Sequence, residues 1–390
     1  MPVDQKRIEF IFFDAGGGHR SAATALQTAI ESQKLSWTID LFNLQEALDR
    51  LDVIKKIFGV RIQDCYNSVL KSGMTLGSTG LLRLLQMILA AYHRPTVRLL
   101  EKYWHKSSPD MVVSLVPHFN RALCESFALA CPGRPFVTIL TDIANFPPRF
   151  WLEKQTQDFI CGSDRAVEQA LALGHASERV FRVSGMIVNP RFYEPITVDR
   201  AAERIALGLE PDLPTGLVMF GGQGSKVMTE IVKRLDKSGL NMQLILICGQ
   251  NEKLAASLRA LKTRFPIFVE GFTKRIPYYM HLSDFFIGKP GPGSLSEAIL
   301  MHLPVIVECN AWTLPQERYN AQWVRENEVG IVVANFRKIV PAMRELLQPG
   351  RLAALSKRTE KMPNRAVFEI PAILQTLLTR NVEAGLRPAR

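Results

Sequence analysis

The chain has 390 residues, 47% apolar and 22% charged, so it is long enough for two domains with a full core each, and its composition excludes a disordered or low-complexity protein. No run reaches the roughly 18 uncharged apolar residues of a spanning helix. Residues 8–13 lack the cleavage pattern of a secretory signal, so a cytoplasmic protein is expected.

The predicted elements alternate. Residues 8–13 read as a buried strand, 16–18 as a tight glycine loop, 21–33 as a helix and 37–41 as a second strand. Residues 45–106 read as largely helical. Strands follow at 111–115, 136–141, 158–161 and 180–183, with helices such as 165–173 between them. Pro190, Pro195, Pro211 and Pro214 then punctuate the chain, and the pattern restarts. Strand 216–220, glycine loop 221–225 and helix 227–235 are followed by strands at 244–248, 267–270, 285–289 and 305–308. This alternation predicts an α/β architecture with two doubly wound sheets. Two such facing domains place their ligands at the carboxyl ends of the strands, in the interdomain cleft. The expected domains are 1–188, 189–370 and a helical tail, 371–390, packing back on the first domain.

The net charge of +11 is uneven. Residues 53–106 carry nine lysines and arginines against two acidic residues, and 337–390 carry eleven against four. Residues 186–336 are nearly balanced. Such basic segments attract nucleic acid or anionic lipid. They lack the interleaved aromatics of a single-strand binder, so no nucleic acid is expected. Residues 73–106 combine an apolar run at 81–89 with Arg83, Arg94, Arg98 and Lys102, a pattern that suits either a membrane-facing helix or a core helix. The six cysteines form no CxxC pair and read as buried free thiols. His93, His105, His118, His175, His281 and His302 show no ligand spacing and read as structural.

Four segments carry candidate chemistry. In 14–21, glycines through Gly18 allow a ligand close approach, the following helix start suits an anion, and His19 and Arg20 stand at the turn. There His19 can act as a base. In 221–226, Gly222, Gly224, Ser225 and Lys226 form a phosphate cradle at a helix start. GxxxxGK[ST] is not met, which disfavours ATP hydrolysis. In 289–298, Pro-Gly pairs force a turn at Gly291 and Gly293, and a helix is expected near Ser294. Ser294 with Glu297 reads either as a capping box or as a phosphate and ribose site. In 313–320, Gln316, Glu317 and Asn320 read either as an exposed helix start or as readers of sugar hydroxyls. The sequence has no DxD or other paired-carboxylate metal box, so helix amides would have to hold a diphosphate without a metal.

In order, these motifs are GGGHRSAA at 16–23, TD at 141–142, GxxxNPRF at 185–192, the glycine loop at 221–224, GFTKRIPYYMHLSD at 271–284, KPGPGSLSEA at 289–298 and PQERYN at 315–320. Together they resemble the GT-B glycosyltransferases of the monogalactosyldiacylglycerol synthase group, related to the peptidoglycan lipid-intermediate N-acetylglucosaminyltransferases. The resemblance implies two facing Rossmann-like domains. It also implies an inverting transfer from a UDP-hexose to a diacylglycerol-like lipid, with neither cofactor nor metal, on the inner face of an anionic membrane. It implies a catalytic role for His19, which Asp142 is expected to assist, a uracil site at Gly271 and Phe272, a phosphate and ribose site at Gly293, Ser294 and Glu297, and a hexose site at Gln316 and Glu317. Arg20, Arg83, Arg94 and Arg98 would face acceptor and membrane. The chain departs from the pattern at Pro147, where a His-Pro pair is usual, and at Asn189, where an Arg is usual. Three alternatives stay open: an N-acetylglucosaminyl donor, a UDP-sugar 2-epimerase of the same fold, and a UDP-sugar-binding protein without catalysis.

Overall fold

The structure is a computed structural model and describes residues 5–13, 17–49, 86–87 and 89–385. The chain forms two units. The first comprises residues 1–190, 314–316 and 364–390, and the second 191–313 and 317–363.

The first unit is built on six parallel strands: β1 (Lys6–Phe12), β2 (Trp37–Asn43), β3 (Met111–Ser114), β4 (Phe136–Ile139), β5 (Asp158–Cys161) and β6 (Val180–Arg182). Their spatial order is β2-β1-β3-β4-β5-β6. β3, β4 and β5 are buried along their whole length, which is why they read as mainly apolar rather than alternating. The register pairs Ile8 with both Ile39 and Met111. Helices His93–Ser107 and Asn120–Ala130 cover one face, where Trp104 and Phe127 pack edge to face and the Trp104 indole donates to Ser126 Oγ at 2.9 Å. The order turns back between β1 and β3, so the loops after these two strands flank the ligand position of a doubly wound sheet.

The second unit repeats the plan with β7 (Thr215–Met219), β8 (Gln243–Ile247), β9 (Ile267–Glu270), β10 (Phe285–Gly288), β11 (Val305–Glu308) and β12 (Gly330–Val333). All are parallel, in the order β12-β11-β10-β7-β8-β9. Here the reversal lies between β7 and β10. β12, an edge strand with three of its four residues only half-buried, has no counterpart among the predicted strands. The core gathers Leu244, Leu246, Phe285, Ile287 and Ile306 from the sheet with Met228, Ile231 and Leu235 from helix Val227–Asp236.

The last helix, Ala366–Gly385, lies in the first unit. Its start is tied there by Asn364, whose amide donates to the Met186 carbonyl at 2.9 Å, and by Glu369, which accepts from the Ser184 N–H at 2.8 Å. Arg380 donates to Asp158 at 2.7 Å.

The basic segment is part core. Helix His93–Ser107 buries Thr96, Val97, Leu100 and Trp104 in the first unit, so its apolar face serves the core and not a membrane. Arg94 and Arg98 lie on its exposed side. Arg83 and most of the apolar run lie outside the described residues. No helix among the described residues is long and apolar enough to cross a membrane.

Candidate functional site

In the second unit the loops after β7 and β10 converge at the strand reversal. Gly224 adopts φ +60°, and a Cβ there would stand 2.5 Å from the Cys248 carbonyl oxygen, so only glycine closes this turn. The loop is clamped to the one after β8: Gln250 N–H donates to the Gly222 carbonyl at 2.8 Å, and Gln223 Nε2 to Gln250 Oε1 at 3.1 Å. Ser225 Oγ accepts from the Val227 N–H at 3.3 Å, and Lys226 is the last residue before the helix.

The helix after β10 runs Pro292–Leu300 with Gly291 as its N-cap, two residues earlier than expected. The capping box of Ser294 and Glu297 therefore does not form. Pro292 has no N–H to offer, and the first intrahelical bond comes from Leu295 N–H to Gly291 O at 3.1 Å. The amides of Gly293 and Ser294 precede it and belong to the positive end of the helix. Lys289 links the two loops. A methyl group on Gly221 would lie 3.8 Å from Lys289 Cε, and one on Gly291 3.6 Å from Lys289 Cε, 3.6 Å from Glu317 Oε1 and 3.8 Å from Ser294 Oγ. The result is a cation, two loops rich in glycine and two helix starts around one point, an arrangement suited to a diphosphate. Lys289 opens the 289–298 segment marked from sequence but had no role of its own there, because its proximity to Gly221 is a product of the fold.

Glu297 lies one turn into this helix, and burial pushes its carboxyl up to about 7, with Arg191 pulling the other way. Phe272, just past β9, is 61% exposed beside Gly271. Glu317 is half-buried, and so is Gln316, which falls in the first unit. Asn320 is a correction. It is wholly buried, and its amide donates to the Pro290 carbonyl at 2.7 Å, so it braces the β10 turn and does not reach a sugar.

In the first unit His19 sits in the first turn of helix Gly18–Ser32, directly after β1, with Gly18 and Arg20 exposed beside it. Arg20 packs its guanidinium over the Phe12 ring. His19 Nδ1 lies 3.2 Å from Thr141 Oγ1, and its ring centroid is 6.1 Å from that of Trp151. Burial lowers its pKa to about 4, against the opposing pull of the Leu115 carbonyl, so the imidazole is neutral near pH 7. Asp142 does not pair with His19. It accepts the Trp151 indole N–H at 2.8 Å and fixes the ring that packs near His19. Trp151 carried no signal in the sequence, Thr141 entered only as part of the TD motif, and His118 was read as structural. Only the pairing of loops after β1, β3 and β4 brings them to His19. Among the described residues no group of three or more His, Cys, Asp and Glu side chains is placed to hold a metal ion.

Residues 216–372 match the glycosyltransferase family 28 C-terminal domain. Over 411 residues the chain is 26% identical to the monogalactosyldiacylglycerol synthase of Spinacia oleracea, covering 98% of this chain and 74% of that protein. The fold matches MurG of Acinetobacter baumannii with a TM-score of 0.62 at 13% identity, over 95% of this chain and 99% of that one. It also matches Anabaena HepE in complex with UDP and glucose, with a TM-score of 0.52 at 14% identity, over 95% and 99% of the two chains. The chain is thus a glycosyltransferase of the GT-B fold, with a family 28 C-terminal domain in its second half and monogalactosyldiacylglycerol synthases as its homologues.

Proposed function

We propose that this glycosyltransferase moves a hexose from a UDP-hexose to the free hydroxyl of a diacylglycerol-like lipid, with inversion and without a metal ion. The observation that carries the reading is the convergence of Lys289 with the loops at 221–226 and 291–294 at the strand reversal of the second unit. A diphosphate placed there meets a cation and two helix starts, which stabilise the charge that grows on the leaving group. Glu297 would accept the ribose hydroxyls, Phe272 would lie against the uracil, and Gln316 and Glu317 would read the hexose. The spinach relative is named for diacylglycerol, and HepE was solved with UDP and glucose, which supports both substrates.

In the reaction the lipid oxygen attacks the anomeric carbon on the face opposite UDP. The bond from that carbon to the UDP oxygen breaks, its electron pair leaves with UDP, and the hydroxyl proton passes to His19. Neutral His19 is available for this at all pH values above about 5. A single displacement inverts the anomeric configuration. The membrane would be met from the side of Met87, 63% exposed, with Arg94 and Arg98 exposed on the next helix. The test is His19→Ala. Transfer should fall by at least about 1,000-fold while UDP binding, measured by calorimetry, stays within threefold. Retained transfer would remove His19 from the chemistry.

A further inference from the structure

We infer that the first unit carries a seat for the acceptor lipid, with its hydroxyl end at His118 and Arg149 and an acyl limb in the groove beyond them. The inference rests on the proposed lipid transfer and names the site that transfer would use.

His118 follows β3 as His19 follows β1, and these are the two strands between which the sheet order reverses. The two rings are close enough that a charge on His19 disfavours one on His118, although burial is the larger reason that His118 stays neutral. His118 and Arg149 have φ of +70° and +56°, the left-handed region that side chains avoid. Strain of this kind persists where the surroundings enforce it, and it gathers at ligand sites. Here the enforcement is visible. His118 N–H donates to the Phe150 carbonyl at 2.6 Å, and the His118 ring packs edge to face on Phe150 at 4.4 Å. The same ring keeps a buried Nδ1 with no hydrogen-bond partner among the described residues. A buried nitrogen without a partner is costly; as an N–H donor to the substrate oxygen it would be satisfied, and the hydroxyl proton would stay free for His19.

Both strained residues line one cavity of about 50 Å³, together with Gln86, His93 and Glu153. Through Arg121, Arg149 and Glu153 this cavity continues into a groove of about 880 Å³, walled by Phe146, Pro147, Pro148, Leu152 and Leu173. The Pro148 carbonyl accepts from Gln86 Nε2 at 2.7 Å, which fixes that wall. The groove's cations Arg121, Arg149 and Lys154 face Glu125 and Glu153. With two of these three cations offset by carboxylates, the groove suits a neutral ester lipid: guanidinium N–H groups meet ester carbonyls, and the apolar wall takes the chain.

Two variants keep the backbone unstrained, since glycine and asparagine both accept the left-handed region. His118→Gly should raise the KM for dioctanoylglycerol about tenfold, the loss of one hydrogen bond to a buried group. His118→Asn should stay within about threefold of wild type. The KM for UDP-hexose should be unchanged in both. A diazirine-bearing dioctanoylglycerol, photolysed with the full chain and no donor, should label residues 146–155 and 169–173, with less label in His118→Gly. An unchanged acceptor KM in His118→Gly, an equal rise in the donor KM, or label confined to other segments would each overturn the seat. A wild-type protein that takes the label in this groove but transfers no sugar would uphold the seat and refute the transfer.

Discussion

The indole N–H of Trp151 donates to the carboxylate of Asp142 at 2.8 Å, and both groups are buried. The bond gives Asp142 a task other than proton transfer. It holds an aromatic ring whose centroid lies 6.1 Å from that of His19. Asp142→Asn keeps an acceptor for the indole and should retain kcat within about fivefold. Asp142→Ala leaves the indole unpaired and should cost about 1–3 kcal/mol of stability, read from denaturant unfolding. A loss of kcat by several orders of magnitude in a stably folded Asp142→Asn would instead place the carboxylate in the chemistry.

Burial depresses the pKa of both His19 and His118 to about 4. The acid limb of kcat/KM should therefore fall near pH 4, well below the ordinary histidine value of about 6.5. The folded state binds fewer protons than the unfolded chain between these two values, so stability should rise with pH across that window. Thermal unfolding at pH 4.5, 5.5 and 6.5 measures the slope, and His118→Asn should reduce it. A midpoint that falls as pH rises through this window would contradict the neutral state of the pair.

Glu297 titrates the other way. Its carboxyl is pushed up to about 7, so it is half protonated at neutral pH. The stability attached to its protonated form is complete below about 4.5 and lost as pH rises through about 7. A carboxylate accepts ribose hydroxyls better than the acid does, so the KM for the donor should fall as pH rises from 6 to 8. Glu297→Gln should flatten that dependence and raise the KM at pH 8. A donor KM that still falls with pH in Glu297→Gln would assign the titration to another group.

Lys289 and Asn320 act on one turn in different ways. Asn320 supports the turn through the Pro290 carbonyl, whereas Lys289 would meet the diphosphate itself. Lys289→Met should raise the Kd for UDP about 10–100-fold with little change in Tm, the value of a hydrogen bond to a charged group. Asn320→Ala should lower Tm as well, because it leaves a buried carbonyl unpaired. Equal UDP affinity in Lys289→Met and wild type would remove Lys289 from the donor site.

The two sheets were legible because parallel strands buried on both faces read as apolar runs, and because glycines at 16–18, 221–224 and 291–293 mark the turns into helices. β12 escaped notice: at the sheet edge it is only half-buried at three of its four residues and lacks the long apolar run of the inner strands. The helix start at Pro292 shows two local signals in conflict. Ser294 and Glu297 have capping-box spacing, yet a proline at the first helical position sets the start earlier. Asn320 has a sugar-reading side chain but spends it on Pro290, a partner 30 residues away in sequence. His118 gave no signal as a lone histidine. Its interest comes from a strand reversal, a left-handed backbone and an unpaired nitrogen, and only the fold supplies these.

Incubation of the protein with dioctanoylglycerol and, in separate tubes, UDP-galactose, UDP-glucose and UDP-N-acetylglucosamine, with excess chelator, decides whether it is an inverting, metal-independent hexosyltransferase. Lipid products are read by mass spectrometry and their anomeric linkage by proton NMR. The expected product is a hexosyl lipid with a β linkage, formed from an α-linked UDP-hexose and undiminished by the chelator. An α-linked product, or UDP release without any glycosylated lipid from any of the three donors, would contradict it.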